Sequence, residues 1–240
     1  VDSQTEWNGQ KFTLIDTAGL RRRTKVASAK DGAEDKSVER ALRAVQRCDV
    51  AMLVLDVTQD VAEQDMRIAE QIEKAGRACV IVVNKWDLYP DKDSNTINEV
   101  EKKMRSRLYF FDWAPFIFTS AVTQQRLQQI FTAAIAAGEE HRRRISTATI
   151  NMVIQEATTW KMPPSTRGGK RGRIYYATQA SIRPPTFIFF CNDPNLFPIT
   201  YRRFILRQLR EQIGFPGNAL PMVTLAHPDT ACVAETGWNL

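Results

Sequence analysis

Asn84, Lys85, Trp86 and Asp87 stand together at the end of an apolar run, Ala78-Cys79-Val80-Ile81-Val82-Val83. A run of this length suits a strand buried on both faces, as in a parallel sheet covered by helices. Polar side chains at the carboxyl end of such a strand stand where open α/β sheets bind ligands. An Asp carboxylate accepts two hydrogen bonds, as the N1–H and exocyclic amine of guanine require. An Asn amide meets an acceptor edge or braces a neighbouring loop, and a Lys stem lies against a flat purine face. The stretch therefore reads as a guanine-specificity site. An ordinary polar turn closing a buried strand accounts for the same four residues equally well, so the decision falls to the rest of the chain.

Two further stretches are placed in the same way. Asp16-Thr17-Ala18-Gly19-Leu20 follows an expected strand over 11–16, and Thr119-Ser120-Ala121 ends a short one over 116–119. Asn8-Gly9, before the first, is a hairpin-turn pair. A helical pattern opens at Ser37, and a second buried strand, 50–57, contains Asp56. A helix over 61–75 is closed by Gly76, a polar helix covers 97–108, and another over 124–137 runs into His141-Arg142-Arg143-Arg144. Strands alternating with helices of 10–15 residues imply a parallel sheet wrapped by helices. Gly138 and the basic run interrupt the pattern, which sets domains at 1–144 and 145–226 and a tail at 227–240. The second domain reads α-β-β-α-β: a helix over 148–160, strands over 174–182 and 186–191, a helix over 199–213 and a strand over 220–226.

Composition bounds the function classes. With 43% apolar and 25% charged residues the chain is globular, and no apolar run reaches the ~18 residues of a membrane span. Val1 and the polar start, without a basic leader or apolar segment, read as a fragment whose beginning is missing. Cys48, Cys79, Cys191 and Cys232 lack metal-ligand spacing and read as reduced thiols of an intracellular protein. Residues 1–144 carry 23 Lys and Arg against 22 Asp and Glu, whereas residues 145–240 carry 10 against 5. That basic excess in the second part points to a polyanionic partner there, although solubility alone also explains it.

Asp16-Thr17-Ala18-Gly19, Asn84-Lys85-Trp86-Asp87 and Thr119-Ser120-Ala121, in this order and with Asn84 68 positions after Asp16, resemble three guanine-nucleotide motifs of Ras-like GTPases. The stretches 16–26, 84–88 and 175–204 narrow the resemblance to the Der (EngA) family. Its members carry two tandem GTPase domains and a KH-like domain and act in assembly of the large ribosomal subunit. The resemblance implies a Ras-like α/β GTPase domain truncated at its N-terminus, followed by a small α+β KH-like domain. It implies GTP or GDP as ligand, with Mg²⁺ held through water by Asp16 and the Gly19 N–H on the γ-phosphate. Thr17, Ala18 and Leu20 complete that loop, Asn84, Lys85, Trp86 and Asp87 serve the base, and Ser120 and Ala121 close the pocket with a backbone N–H toward the guanine carbonyl. It further implies rRNA of the large subunit as partner, a preceding GTPase domain in cis, no membrane, a monomer, and a bacterial cytoplasm or plastid stroma.

Two features depart from the GTPase pattern. No Gly-x-x-x-x-Gly-Lys-Ser/Thr sequence, the cradle for nucleotide phosphates, occurs in the 240 residues. The fragment alone is therefore expected to bind GTP poorly. Leu20 stands where Ras-type enzymes have a water-orienting Gln. Leucine cannot polarise water, so slow hydrolysis, dependent on K⁺, a partner or another positioning element, is expected, and no side chain is assigned as catalytic. The rival is a non-catalytic rRNA-binding assembly protein with a vestigial GTPase fold.

Smaller features have plainer readings. Arg21-Arg22-Arg23 reads as a solvated loop or an rRNA contact. Gly169-Lys170-Arg171-Gly172 has the letters of a KH clamp, but it leads into a strand, whereas the clamp joins two helices, and it reads as a basic surface loop. Phe187, Phe189, Phe190, Tyr175 and Tyr176 read as sheet core, Glu139 and Glu140 as solvated, and Trp86 as packed against its own domain.

Overall fold

Seven residues, Ala78–Asn84, form a strand whose first six members are all buried. Four of those six are β-branched, and branched side chains pack well on a pleated surface. A computed structural model describes residues 2–15, 43–165 and 168–226. Asp16-Thr17-Ala18-Gly19-Leu20, the arginine run at 21–23, the start of the helix expected from Ser37 and the 227–240 tail lie outside the described residues.

The chain divides into two compact units, Val1–Gly138 and Glu139–Leu240. In the first, β1 (Asp2–Trp7) and β2 (Gln10–Ile15) form an antiparallel hairpin. Its turn, Asn8-Gly9, takes positive φ at both residues, 49° and 77°, which Asn tolerates and Gly adopts freely. Residues 43–47 are helical. Then β3 (Val50–Asp56), β4 (Ala78–Asn84) and β5 (Phe116–Phe118) make a parallel three-stranded sheet with β4 in the centre. Between them run α1 (Glu63–Lys74) and α2 (Thr96–Arg107). Gly76, past the end of α1, has the positive φ of 63° that ends helices.

The last helix, α3 (Leu127–Arg142), starts later and ends later than the sequence pattern suggests. Gln124 and Arg126 take positive φ, 59° and 57°, so the chain turns there before the helix begins. At the other end the helix passes through Gly138 to Arg142. Gly138 is seated against Val50 of β3: a Cβ on it would lie 3.5 Å from Val50 Cγ2. That is an ordinary van der Waals distance, so packing leaves room for a side chain here and the helix simply continues through the glycine. Trp7 stacks on Phe131 of α3, with centroids 5.6 Å apart, which ties the hairpin to this helix.

In the second unit α4 (Thr147–Trp160), β6 (Ile174–Ile182), β7 (Pro185–Cys191), α5 (Ile199–Ile213) and β8 (Met222–Ala226) follow in the expected α-β-β-α-β order. β6 and β8 flank β7, antiparallel and parallel to it respectively. Ser146 caps α4 by accepting from the Thr149 N–H. Ile150, Val153, Phe187, Phe189, Ile205 and Leu209 meet in the core between the sheet and the two helices. Phe187 and Phe189 are core residues as expected, but Phe190 is half-buried and Tyr175 and Tyr176 are exposed. Side chains alternate along β7, and the register between β6 and β7 shifts between Ile174 and Tyr176. Tyr176 and Phe190 therefore stack on each other, 4.2 Å between centroids, away from that core. Glu140 also departs from expectation: it is half-buried and paired with Arg143 at 3.0 Å.

A candidate guanine-base site at the carboxyl end of the parallel sheet

The register of the parallel sheet sets Asp56, the last residue of β3, beside Asn84, the last of β4. Both are polar residues that end apolar strands. Beyond β4 the backbone turns sharply: Lys85 takes the left-handed conformation, φ 65° and ψ 32°, and Trp86–Leu88 form one 3₁₀ turn. This reversal is held from two sides. The Trp86 N–H donates to the Thr119 carbonyl at 2.9 Å, and the Thr119 N–H donates to Val83 at 2.8 Å. The loop after β5 is thereby fastened to the loop after β4.

Asn84 uses its side chain as a brace. Its Oδ1 accepts the Ala121 N–H at 3.0 Å, and its carbonyl accepts the Val57 N–H at 3.0 Å. Ser120 is fully buried; its Oγ accepts the Thr123 N–H at 3.1 Å, and its own N–H donates to Gln125 at 3.3 Å. The Ala121 N–H is thus turned to Asn84 in this structure. Trp86 is buried between Tyr89, stacked at 5.3 Å, and Phe118, edge-on at 4.9 Å. The Lys92 ammonium donates to its carbonyl at 2.8 Å. Trp86 packs on its own domain.

Lys85 reaches back to β3, where its Nζ lies 2.7 Å from Asp56 Oδ2. The Asp56 carboxylate is buried and accepts at Oδ1 from the Thr58 hydroxyl, 2.7 Å, and the Thr58 N–H, 3.0 Å. Burial is the strongest single influence and raises its pKa, but the Lys85 ammonium, the Thr58 hydroxyl and the Thr58 N–H together outweigh it. The carboxyl is held below its ordinary value and stays ionised. Asp56 was visible in the sequence as the end of a strand but received no role. The signal that would have found it is the one that found Asn84, a polar residue closing an apolar strand.

Asp87 has the opposite character. Its Oδ1 is out of contact with solvent and accepts no hydrogen bond among the described residues. A buried carboxylate oxygen without a donor is costly, and a ligand that donates to it would offset that cost. Asn84, Lys85, Asp87, Ser120 and Ala121 are thus gathered at one end of the sheet by β4 and β5. Among the described residues no cluster of three or more His, Cys, Asp or Glu is arranged to hold a metal. No helix among them is long and apolar enough to cross a membrane.

Residues 2–140 match the family described as the elongation factor Tu GTP binding domain. Residues 144–224 match the KH-domain-like C-terminal domain of EngA bacterial GTPase enzymes. The GTPase Der of Synechococcus sp. (strain RCC307) is 50% identical over 218 residues, covering 91% of this chain and 47% of that protein. The GTPase Der of Prochlorococcus marinus (strain MIT 9313) is 51% identical over 222 residues, 92% of this chain and 48% of its own length. The chain spans about half the length of the curated relatives it matches. A crystal structure of Era in complex with MgGDPNP and nucleotides of 16S ribosomal RNA aligns over 95% of this chain and 81% of that one, with a TM-score of 0.46 and 14% identity. With a GTPase domain over its first part and the EngA KH-like domain over its second, the chain belongs to the Der (EngA) family of GTPases.

Proposed function

We infer that this chain supplies the guanine-reading half of a GTP-binding, GTP-hydrolysing switch that acts in assembly of the large ribosomal subunit. The observation that carries the reading is the buried Asp87 Oδ1, without a donor among the described residues, beside a loop clamped by Asn84 and Ser120. A guanine base presents an N1–H and an exocyclic amine side by side, and a carboxylate accepts both. The Lys85 stem, anchored at its tip by Asp56, offers an apolar edge to a purine ring. Release of the Ala121 N–H from Asn84 would provide the donor for the guanine carbonyl.

Asp16 would hold Mg²⁺ through water, and Thr17, Ala18, Gly19 and Leu20 would face the phosphates. The metal would neutralise phosphate charge during transfer. With Leu20 at the water-orienting position, hydrolysis is slow unless K⁺ or a ribosomal partner supplies the missing polarisation. A second reading, an rRNA-binding assembly protein with a vestigial nucleotide site, draws on the basic second part alone, 10 Lys and Arg against 5 Asp and Glu over residues 145–240.

Co-sedimentation with purified large ribosomal subunits tests the switch. The protein is these 240 residues placed behind a phosphate-binding loop and its flanking segments, with GDP or a non-hydrolysable GTP analogue present. Association that strengthens with the analogue and weakens with salt is the expected result. Association indifferent to the nucleotide favours the vestigial reading.

A further inference from the structure

The 36 residues from 157 to 192 contain six Lys and Arg and no Asp or Glu. This stretch joins α4 to β7, and the chain folds it back on itself. Ser165 bridges to Arg171, Arg171 Nη1 meets Met162 Sδ at 3.0 Å, and Asn192 Nδ2 donates to the Arg171 carbonyl at 3.0 Å. The end of α4 and the approach to β6 are therefore neighbours. Large apolar side chains stand out at this junction. Trp160 is 73% exposed, Met162 61% and Tyr175 47%, and the Arg173 guanidinium lies over the Tyr175 ring at 5.6 Å. Trp160 touches Phe204 with centroids 5.8 Å apart, so the ring has a fixed support while most of its surface faces water.

Packing explains the glycine at one end of this basic loop. A Cβ on Gly172 would come within 2.7 Å of the buried Phe197 ring. It does not explain the exposed cations and aromatics around it. Exposing an indole to water forgoes the burial that normally stabilises it, at ~25 cal/mol per Å². A surface that combines such a ring with a basic stretch of chain, here bounded by Glu156 and Asp193, is suited to a strand of nucleic acid. Its bases stack on the aromatic face and its phosphates meet the cations.

We propose that the junction of α4 and β6 is a binding surface for single-stranded RNA, with Trp160 as the base-stacking platform and Lys170, Arg171 and Arg173 as phosphate contacts. The choice of RNA over DNA rests on the ribosomal role proposed above; the stacking and charge do not. The surface differs from a KH clamp because it is built on the strand-leading loop and on a helix end.

Fluorescence anisotropy of a labelled oligouridine of about 12 nucleotides, titrated with the full 240-residue chain, tests this. Trp160→Ala is expected to weaken binding about tenfold, and Trp160→Phe to retain most of it. The double variant Lys170→Gln, Arg173→Gln, which alters exposed side chains only, is expected to flatten the log–log salt dependence by roughly 1.4. An RNA duplex and polyglutamate are expected to bind more weakly than the single strand. Equal binding by Trp160→Ala and the unaltered chain overturns this site while leaving the ribosomal reading intact. Failure of the unaltered chain to bind the single strand also overturns this site, whereas the ribosomal reading stands or falls on nucleotide-dependent co-sedimentation. Tighter binding of polyglutamate assigns the surface to an acidic protein partner, and tighter binding of the matching DNA overturns the choice of RNA.

Discussion

Replacing Asp56 by Asn separates the charge of the Asp56–Lys85 pair from its shape. The amide keeps an oxygen for the Thr58 hydroxyl and N–H, at 2.7 and 3.0 Å, but loses the attraction for the Lys85 ammonium at 2.7 Å. A hydrogen bond to a charged partner contributes ~1.5–3 kcal/mol. The Lys85 side chain is 49% exposed and regains water when released, which places the loss at the low end, about 1–1.5 kcal/mol. Asp56→Ala also strands the two Thr58 donors and is expected to cost about 3 kcal/mol. The charge part depends on pH in a definite direction. The folded carboxyl titrates below its ordinary value, so its stabilisation is present above the unfolded value of about 3.9 and is lost as pH falls through the folded one. Urea unfolding, followed by hydrogen exchange of the β3 and β4 amides, measures the difference at pH 7 and near pH 3. The gap between the native protein and Asp56→Asn should close in acid. A gap below about 0.3 kcal/mol at pH 7, or one that widens in acid, refutes this reading of the pair.

Two other substitutions probe single contacts. Asn84→Ala removes the acceptor of the Ala121 N–H, so the Ala121 amide should exchange faster with deuterium and the first unit should lose about 1 kcal/mol; unchanged exchange contradicts the brace. Gly172→Ala forces a methyl group against Phe197 and should destabilise the second unit by about 1–3 kcal/mol in thermal unfolding, whereas a neutral outcome means that the ring moves aside freely.

Local sequence carried the elements that depend on local rules. Asn8-Gly9 made its hairpin, Gly76 closed its helix, and the apolar run before Asn84 became the central buried strand. Gly138 reads as a break, but a single glycine costs a helix only about 1 kcal/mol and α3 continues through it to Arg142. Elements set by contacts between distant residues were less legible. Tyr175 and Tyr176 looked like core because a register shift between strands leaves no trace in the alternation of one strand. In the site, Asn84 and Asp87 were recognisable by type and spacing. Asp56 was not, because its role arises from strand register, which sets it beside Asn84 and within reach of Lys85. The use of the Ala121 N–H by Asn84 is likewise a property of two loops brought together by β4 and β5.

The guanine assignment itself meets its most direct test in the base preference of an Asp87→Asn variant. In a protein carrying these 240 residues behind a phosphate-binding loop, equilibrium titration with GTP and with xanthosine triphosphate compares two bases that differ at C2. On the proposed reading Asp87 would accept from the guanine amine, whereas an Asn amide would donate to the xanthine carbonyl. Loss of two charge-assisted hydrogen bonds predicts GTP binding weakened by roughly 100-fold or more, with xanthosine triphosphate becoming the preferred ligand. GTP affinity unchanged in the variant would show that the buried Asp87 oxygen does not read the base.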